Sequence, residues 1–219
     1  MDFRNINWPD VLFVTGIGTD VGKSYATGWL AREMAAAGLS VITQKFIQTG
    51  CRADQISIDI ECHRRIQGIP LQTVDKTRIT APLSFTYPAS PHLAAEIDGI
   101  PLRLELATEA TAVLRGKYDH VLVEGAGGLM VPLTRDCLTV DYIADHRLPV
   151  ILVTNGQLGS ISDTLLNLEV LAHRGITLFA VIYNPYFDAD KTIAADARSY
   201  MLDHVARHCP GTLWLDMPT

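Results

Sequence analysis

A glycine-punctuated run, Gly16-Ile17-Gly18-Thr19-Asp20-Val21-Gly22-Lys23-Ser24, carries the first recognisable chemistry in the chain. Glycines let successive backbone N–H groups turn toward one point, where they can bind phosphate oxygens. A helix starting just after the run would add partial positive charge at the same place. Lys23 is then spaced to reach the terminal phosphates of a nucleotide, and the Ser24 hydroxyl to ligate Mg²⁺. The usual spacing would put the first glycine at position 17; here it is Gly16, so the loop is one residue longer. The bland alternative is a glycine-rich turn that binds nothing. The apolar run before the loop and the helical pattern after it favour the phosphate reading.

A second chemical feature is Val121-Leu122-Val123-Glu124, a carboxylate at the end of an apolar strand. Phosphate-loop proteins keep an acidic magnesium ligand at such a strand end. Gly125, Ala126, Gly127 and Gly128 follow it, and their lack of bulk lets another group approach the backbone. The stretch Ser57-Ile58-Asp59-Ile60-Glu61 offers further carboxylates, either as ligands or as surface charges. His63 and His146 read as surface histidines rather than ligands.

These residues need a frame. Val11-Leu12-Phe13-Val14 reads as a buried strand, and a helix should run from about Lys23 to a stop at Gly38. Val41-Ile42 opens the next strand, and Ile56 to Ile66 has helical spacing. Ala81 to Pro91 is broken by prolines and reads as irregular. Leu102 to Leu114 is helical; Val121 to Val123 and Val150 to Val153 are strands. Ile161 to His173 reads as a helix, Leu178 to Tyr183 as a strand, Ala194 to Val205 as a helix, and Leu213 to Leu215 as a last strand. Strands that are apolar on both faces and alternate with helices imply an α/β fold, a mostly parallel sheet with helices on both faces. In such sheets ligands sit beyond the carboxyl ends of the strands. The loops after Val14, Ile42, Val123, Val153 and Tyr183 should therefore share one crevice.

Composition bounds the reading. The chain has 219 residues, a length that suits one large domain spanning 1–219. A net charge of −6 argues against a nucleic-acid or membrane-surface partner. Cys51, Cys62, Cys137 and Cys209 are widely and irregularly spaced, which speaks for reduced thiols in a cytoplasmic protein and against a zinc site. No stretch approaches the ~18 apolar residues of a membrane span, and Met1 to Asp10 has no apolar run of a signal peptide.

The long phosphate loop together with Val121-Leu122-Val123-Glu124-Gly125-Ala126-Gly127-Gly128 resembles the dethiobiotin synthetase family. Three further segments carry the resemblance: Gln44-Lys45-Phe46-Ile47-Gln48-Thr49-Gly50, the tripeptide Ser90-Pro91-His92, and Leu148 to Val153 followed by Leu158-Gly159-Ser160. Related amidoligases share the first two motifs; the lysine loop with Ser-Pro-His is the discriminating pair. The resemblance runs from about Val11 to Pro218.

What the resemblance implies is an ATP-dependent cyclo-ligase of biotin biosynthesis. Such enzymes join CO₂ to 7,8-diaminononanoate through a carbamate and a carbamic-phosphoric anhydride, and release ADP and phosphate. Lys23, Lys45 and Thr19 would serve catalysis. Asp20, Val21, Gly22, Lys23, Ser24, Tyr25, Asp59, Glu124, Gly125, Ala126, Gly127, Asn184, Pro185 and Pro218 would bind ATP, with Asn184 reading the adenine edge and Pro218 near the base. Ser24, Asp59 and Glu124 would hold Mg²⁺ directly or through water. Thr49, Ser90, Pro91, His92, Gly159, Ser160, Ile161, Ser162 and Tyr200 would receive the diamine substrate, whose carboxylate tail would meet Tyr200 and the helix start at Gly159. In the family that tyrosine comes from the partner subunit, so a homodimer is implied. Phe46 stands where the family often has proline, while Ser24 and Asp20 keep the chemistry of the usual threonine and glutamate. Two other readings of the same motifs remain: an amidoligase fed by a glutaminase domain, for which 219 residues leave no room, and a switch ATPase of the partitioning type. The latter usually carries an early lysine in its phosphate loop, and none lies between Gly16 and Gly22.

Overall fold

The computed structural model describes residues 2–52 and 54–218. From the N-terminus, β1 (Val11–Gly16) leads through the phosphate loop into α1 (Lys23–Ala36), and β2 (Val41–Lys45) follows. Four helices come next: α2 (Ile58–Gln67), α3 (Thr73–Lys76), α4 (Pro91–Asp98) and α5 (Leu104–Arg115). Then come β3 (His120–Gly128), α6 (Thr139–Asp145), β4 (Val150–Asn155), α7 (Ser160–His173), β5 (Leu178–Asn184), α8 (Lys191–His208) and β6 (Leu213–Asp216).

The six strands form one sheet in the order β2-β3-β1-β4-β5-β6, and every pairing is parallel. The alternation of side chains along a strand divides the interior into two layers. Leu12 and Val14 point toward α1, where they meet Ala26, Trp29, Leu30 and Met34. Phe13 points to the other face and packs with Phe46, Val121 and Val123. β4 is buried along its whole length, as a central strand covered on both faces must be. The chain leaves β1 for β2 through α1, yet β3 and β4 flank β1 on its two sides. The carboxyl end of β1 is thus the point where strand order reverses, and the phosphate loop leaves from there.

Three short helices differ from the sequence expectation. α3 is too short for a helical period to show. α4 begins inside the segment read as irregular: Ser90 precedes it, Pro91 opens it, where a missing N–H costs nothing, and Gly99 closes it at φ +64°. α6 lies in a stretch without strong amphipathic spacing, and Asp141 accepts from the Leu138 N–H at its start at 2.8 Å. The second difference is in β3. Its glycines continue the strand instead of ending it, because they let β1 come close. A Cβ on Gly125 would lie 2.8 Å from the Phe13 ring, and one on Gly128 would lie 3.3 Å from the Gly16 carbonyl. All four cysteines are free, and among the described residues no helix is long and apolar enough to cross a membrane.

Candidate active site

The phosphate loop is held from both ends. Gly22 sits at φ +91° immediately before α1, and a Cβ there would lie 2.2 Å from Asn184 Nδ2, so only glycine fits. Asn184, at the end of β5, donates to the Val21 carbonyl at 3.0 Å and accepts from the Tyr186 N–H at 3.1 Å. Its amide therefore clamps the loop, with one N–H and part of the carbonyl oxygen left for anything else. Pro185 opens the short turn Pro185–Phe187 beside it. Thr19 and Asp20 are exposed at the loop tip, Val21 is buried, and Tyr25 is exposed on the first turn of α1.

Lys23 folds back over the loop and donates to the Gly18 carbonyl at 2.8 Å. Burial first, and the charge of Lys45 second, bring its pKa down to about 8, against the opposing pull of Glu124, Asp20 and Asp59. Lys45 ends β2 and pairs directly with Glu124 across the β2–β3 ladder. Its ammonium donates to Asp59 Oδ2 at 2.6 Å, Glu124 Oε1 at 2.8 Å and the Gly125 carbonyl at 3.1 Å. Those contacts use all three of its hydrogens. Burial alone would lower the Lys45 pKa, but Glu124 and then Asp59 outweigh it and raise it above the ordinary lysine value. Glu124 is only 1% exposed. Burial would raise its pKa, yet the Lys45 charge and the His63 hydrogen bond hold the carboxyl far below the usual range.

His63 corrects the surface reading. It is fully buried, with Nε2 at 2.6 Å from Glu124 Oε2 and Nδ1 at 3.0 Å from Thr43 Oγ1. His146 is exposed, as read. Gln48 and Ser57 were also not anticipated. Ser57 caps α2 and hydrogen-bonds Gln48, which joins the lysine loop to the helix that carries Asp59. The one available signal was the four-residue spacing of Asp59 and His63, which puts both on one helix face.

The donor set suits a hard divalent cation. Ser24 Oγ lies 2.8 Å from Glu124 Oε1, and the Lys45 ammonium, itself a cation, is bracketed by Glu124 and Asp59. Two carboxylates and a hydroxyl match magnesium, which prefers a few protein oxygens and completes its shell with water and phosphate. Among the described residues no three His, Cys, Asp or Glu side chains cluster as a ligand set.

These groups line one cleft of about 430 Å³, which also takes in Thr49, Cys62, Ala126 and Gly127. Other residues named from the sequence stand apart from it. Ser90 stands at the N-cap position of α4 without capping it and shares a hydrogen bond with His92 Nδ1 at 3.1 Å; His92 lines a separate hollow with Leu133 and Arg135. The chain before them does run beside the lysine loop, since Phe85 donates to the Gln48 carbonyl and Gly50 to that of Tyr87. Gly159, at φ +100°, precedes α7, and Ser160, Ile161 and Ser162 form its first turn. Tyr200 is nearly half exposed on α8. Pro218 is exposed after β6, whose end is tied to β5 by Met217 N–H donating to the Tyr183 carbonyl.

A protein-family model described as an AAA domain matches residues 10–205. The ATP-dependent dethiobiotin synthetase BioD 2 of Pasteurella multocida is 48% identical over 204 residues, covering 93% of this chain and 95% of that protein. The protein of the same name from Haemophilus ducreyi is 48% identical over 94% of this chain and 97% of its own length. The ATP-dependent dethiobiotin synthetase BioD of Chlorobaculum tepidum is 46% identical over 90% of this chain and 82% of its own. Among solved structures, a ParA family ATPase from Chlorobium tepidum superposes with a TM-score of 0.53 at 15% identity, over 98% of this chain and 85% of that one. A structure of pNOB8 ParA bound to nonspecific DNA gives 0.53 at 14%, over 92% and 77%. At such identities the likeness shows the fold alone.

Proposed function

The chain belongs to the ATP-dependent dethiobiotin synthetases, and from that premise we propose how its cleft closes a ureido ring. One amine of 7,8-diaminononanoate adds to CO₂ and loses a proton, giving a carbamate. A carbamate oxygen attacks the γ-phosphorus of ATP and expels ADP. The second amine then attacks the carbonyl carbon of the mixed anhydride and gives up a proton, phosphate leaves, and the ring closes.

The observation that carries this assignment of roles is the meeting of two buried lysines with Ser24, Asp59 and Glu124 in one cleft at the carboxyl end of β1. Each step builds negative charge on oxygen, and fixed ammonium groups in a site screened from water stabilise such charge strongly. Lys23 faces the phosphate side of the cleft. Lys45, held here by Asp59 and Glu124, would turn its ammonium to the carbamate once those carboxylates take up Mg²⁺. Ser24, Asp59 and Glu124 would hold Mg²⁺. Bound there, the ion would neutralise phosphate charge and orient the transferring group. Thr19 and Thr49 edge the cleft and are placed to hydrogen-bond substrate. Asn184 and Pro185 stand on the base side.

The diamine's carboxylate tail we assign to Ser160–Ser162 and to Tyr200 from a second copy of the chain. The exposure of Tyr200 and of Leu158 and Leu166 supports a homodimer through this face. The net charge of −6 supports a protein without a nucleic-acid partner, and the free cysteines support a cytoplasmic location.

The test is phosphate release from MgATP and bicarbonate with and without 7,8-diaminononanoate. Release is expected to depend on the diamine and to fall by about 10²–10³-fold in Lys45→Ala, the scale on which loss of one fixed charge-stabilising group acts. Release that ignores the diamine overturns the substrate assignment.

A further inference from the structure

Glu124 uses its two oxygens in opposite directions. Oε1 receives Ser24 and Lys45 from the cleft; among the described residues Oε2 receives only His63, from beneath. We propose that His63 is a positioning residue that holds the Glu124 carboxylate in the orientation presented to the metal–nucleotide complex.

The geometry defines what His63 does. Arg64 Nη1, a donor only, gives its hydrogen to Thr43 Oγ1 at 2.8 Å. The ionised Glu124 carboxylate can only accept, so His63 Nε2 carries the hydrogen aimed at it. The Thr43 hydroxyl, 3.0 Å from Nδ1, meets the other ring nitrogen. A carboxylate buried as deeply as Glu124 cannot borrow water for its second oxygen, and an unmet acceptor there is costly. Without the imidazole donor it would turn toward other hydrogens, taking Oε1 away from Ser24. Partners of this kind behind a ligating carboxylate set metal affinity by fixing the ligand.

The same helix supplies the other carboxylate. Asp59 and His63 stand one turn apart on α2, so a single rigid element places both the Asp59 oxygen and the support for Glu124. Its depth is set by Gly28 on α1, where a Cβ would lie 3.2 Å from the His63 Cα. Its rotation is set by the buried pairing of Arg64 with Asp75.

This inference rests on Glu124 being a metal ligand, and the experiment separates the two claims. Binding of Mn²⁺, read by electron paramagnetic resonance with a non-hydrolysable ATP analogue present, is measured for the native enzyme and for Glu124→Gln, His63→Gln and His63→Asn. Glutamine places an amide nitrogen close to where Nε2 stands and keeps the donor to Glu124. Asparagine reaches only the Nδ1 position and keeps the Thr43 side. Both are polar and of similar cost to the fold, which thermal unfolding without nucleotide checks. His63→Asn is expected to weaken Mn²⁺ about tenfold or more and to raise the Mg²⁺ requirement of turnover, with kcat recovering at saturating Mg²⁺. His63→Gln should stay within about threefold of native on the same scale. Glu124→Gln should weaken Mn²⁺ at least as much as His63→Asn. Equal affinities for His63→Asn and the native enzyme, with Glu124→Gln weakened, overturn the role of His63 alone. Unchanged affinity in Glu124→Gln overturns the ligand assignment beneath it and the proposal together. Should His63→Asn not fold, Thr43→Val is the second variant. By freeing the ring to turn, it is expected to weaken Mn²⁺ in the same direction, and native affinity there overturns the proposal.

Discussion

Asp75→Asn isolates the contact that locks α2 in place. Asp75 accepts from Arg64 Nε at 2.9 Å and Nη2 at 2.8 Å, from the Gln72 N–H at 2.7 Å and from Thr80 Oγ1 at 2.8 Å. Both partners of the pair are at most 2% exposed. Burial would raise the Asp75 pKa, but the Arg64 hydrogen bonds and charge, with Gln72 and Thr80, hold it below the usual carboxylate range. Asparagine keeps the shape, removes the charge and turns one acceptor into a donor facing Arg64. A buried guanidinium without its counter-charge costs about 3–5 kcal/mol. Urea unfolding at pH 7 should show that loss, as a midpoint lower by roughly 1–2 M for a slope of a few kcal/mol per molar. Because the folded pKa is depressed, the pair's contribution is complete above the unfolded value near 3.8 and is lost as pH falls through the folded one. The native protein should therefore lose its advantage over Asp75→Asn only under strongly acid conditions. The double variant Arg64→Met with Asp75→Leu removes both charges and should cost much less than Asp75→Asn. A single-variant loss below about 1 kcal/mol, or a double variant as unstable as the single one, would refute the view that this pair anchors the helix.

Other expectations follow from close approaches in the same region. Gly22→Ala forces a side chain into left-handed backbone and against Asn184; ATP affinity by calorimetry should fall at least tenfold, a loss of about 1.4 kcal/mol or more. Gly28→Ala would stabilise an ordinary helix, but here its Cβ would lie 3.0 Å from Ile66 Cβ and 3.2 Å from the His63 backbone. Crowding should outweigh the helical gain, with a net loss of about 1–2 kcal/mol in urea unfolding and weaker MgATP binding. Ser57→Ala removes the cap of α2 and the hydrogen bond to Gln48; about 1 kcal/mol of stability should go, read by thermal unfolding.

The parts of the site that could be read before folding are those whose partners are neighbours in sequence. The phosphate loop is local: its glycines, Lys23 and Ser24 define their own geometry once a strand precedes them and a helix follows. Glu124 was legible because an acidic residue closing an apolar run is rare without a reason. His63 was not, because both of its partners are distant in the chain. Thr43 belongs to β2 and Glu124 to β3, and only the pairing of those strands brings them over one face of α2. Asn184 was legible as a site residue, but what it touches first is the phosphate loop, a contact spanning most of the chain. The Gly125–Gly128 run shows the reverse: the residue type was read correctly as permitting close approach, but the groups that approach are Phe13 and the β1 backbone as well as Lys45.

The mistaken readings share a cause. α4 has visible terminal signals in Ser90, Pro91 and Gly99, yet Pro82 and Pro88 just before it argue for irregular chain, and local breakers outweigh local caps. A histidine amid Cys62, Arg64 and Arg65 looks solvated because its neighbours in sequence are polar. Helical spacing alone would have placed His63 on the Ile60 side of α2, which is buried, and not on the Glu61 side, which is exposed. A polar residue on the buried face of an amphipathic helix has to be met by another polar group, since leaving it unmet costs more than an apolar replacement would. Asp59, His63 and Arg64 are three such residues on one helix. Each is met by a group of the sheet or the loops beneath, and two of the three end on Lys45 or Glu124. The helix from which the sequence offered only Asp59 is thus a wall of the cleft, and its polar inner face is the price of holding a lysine and a glutamate side by side.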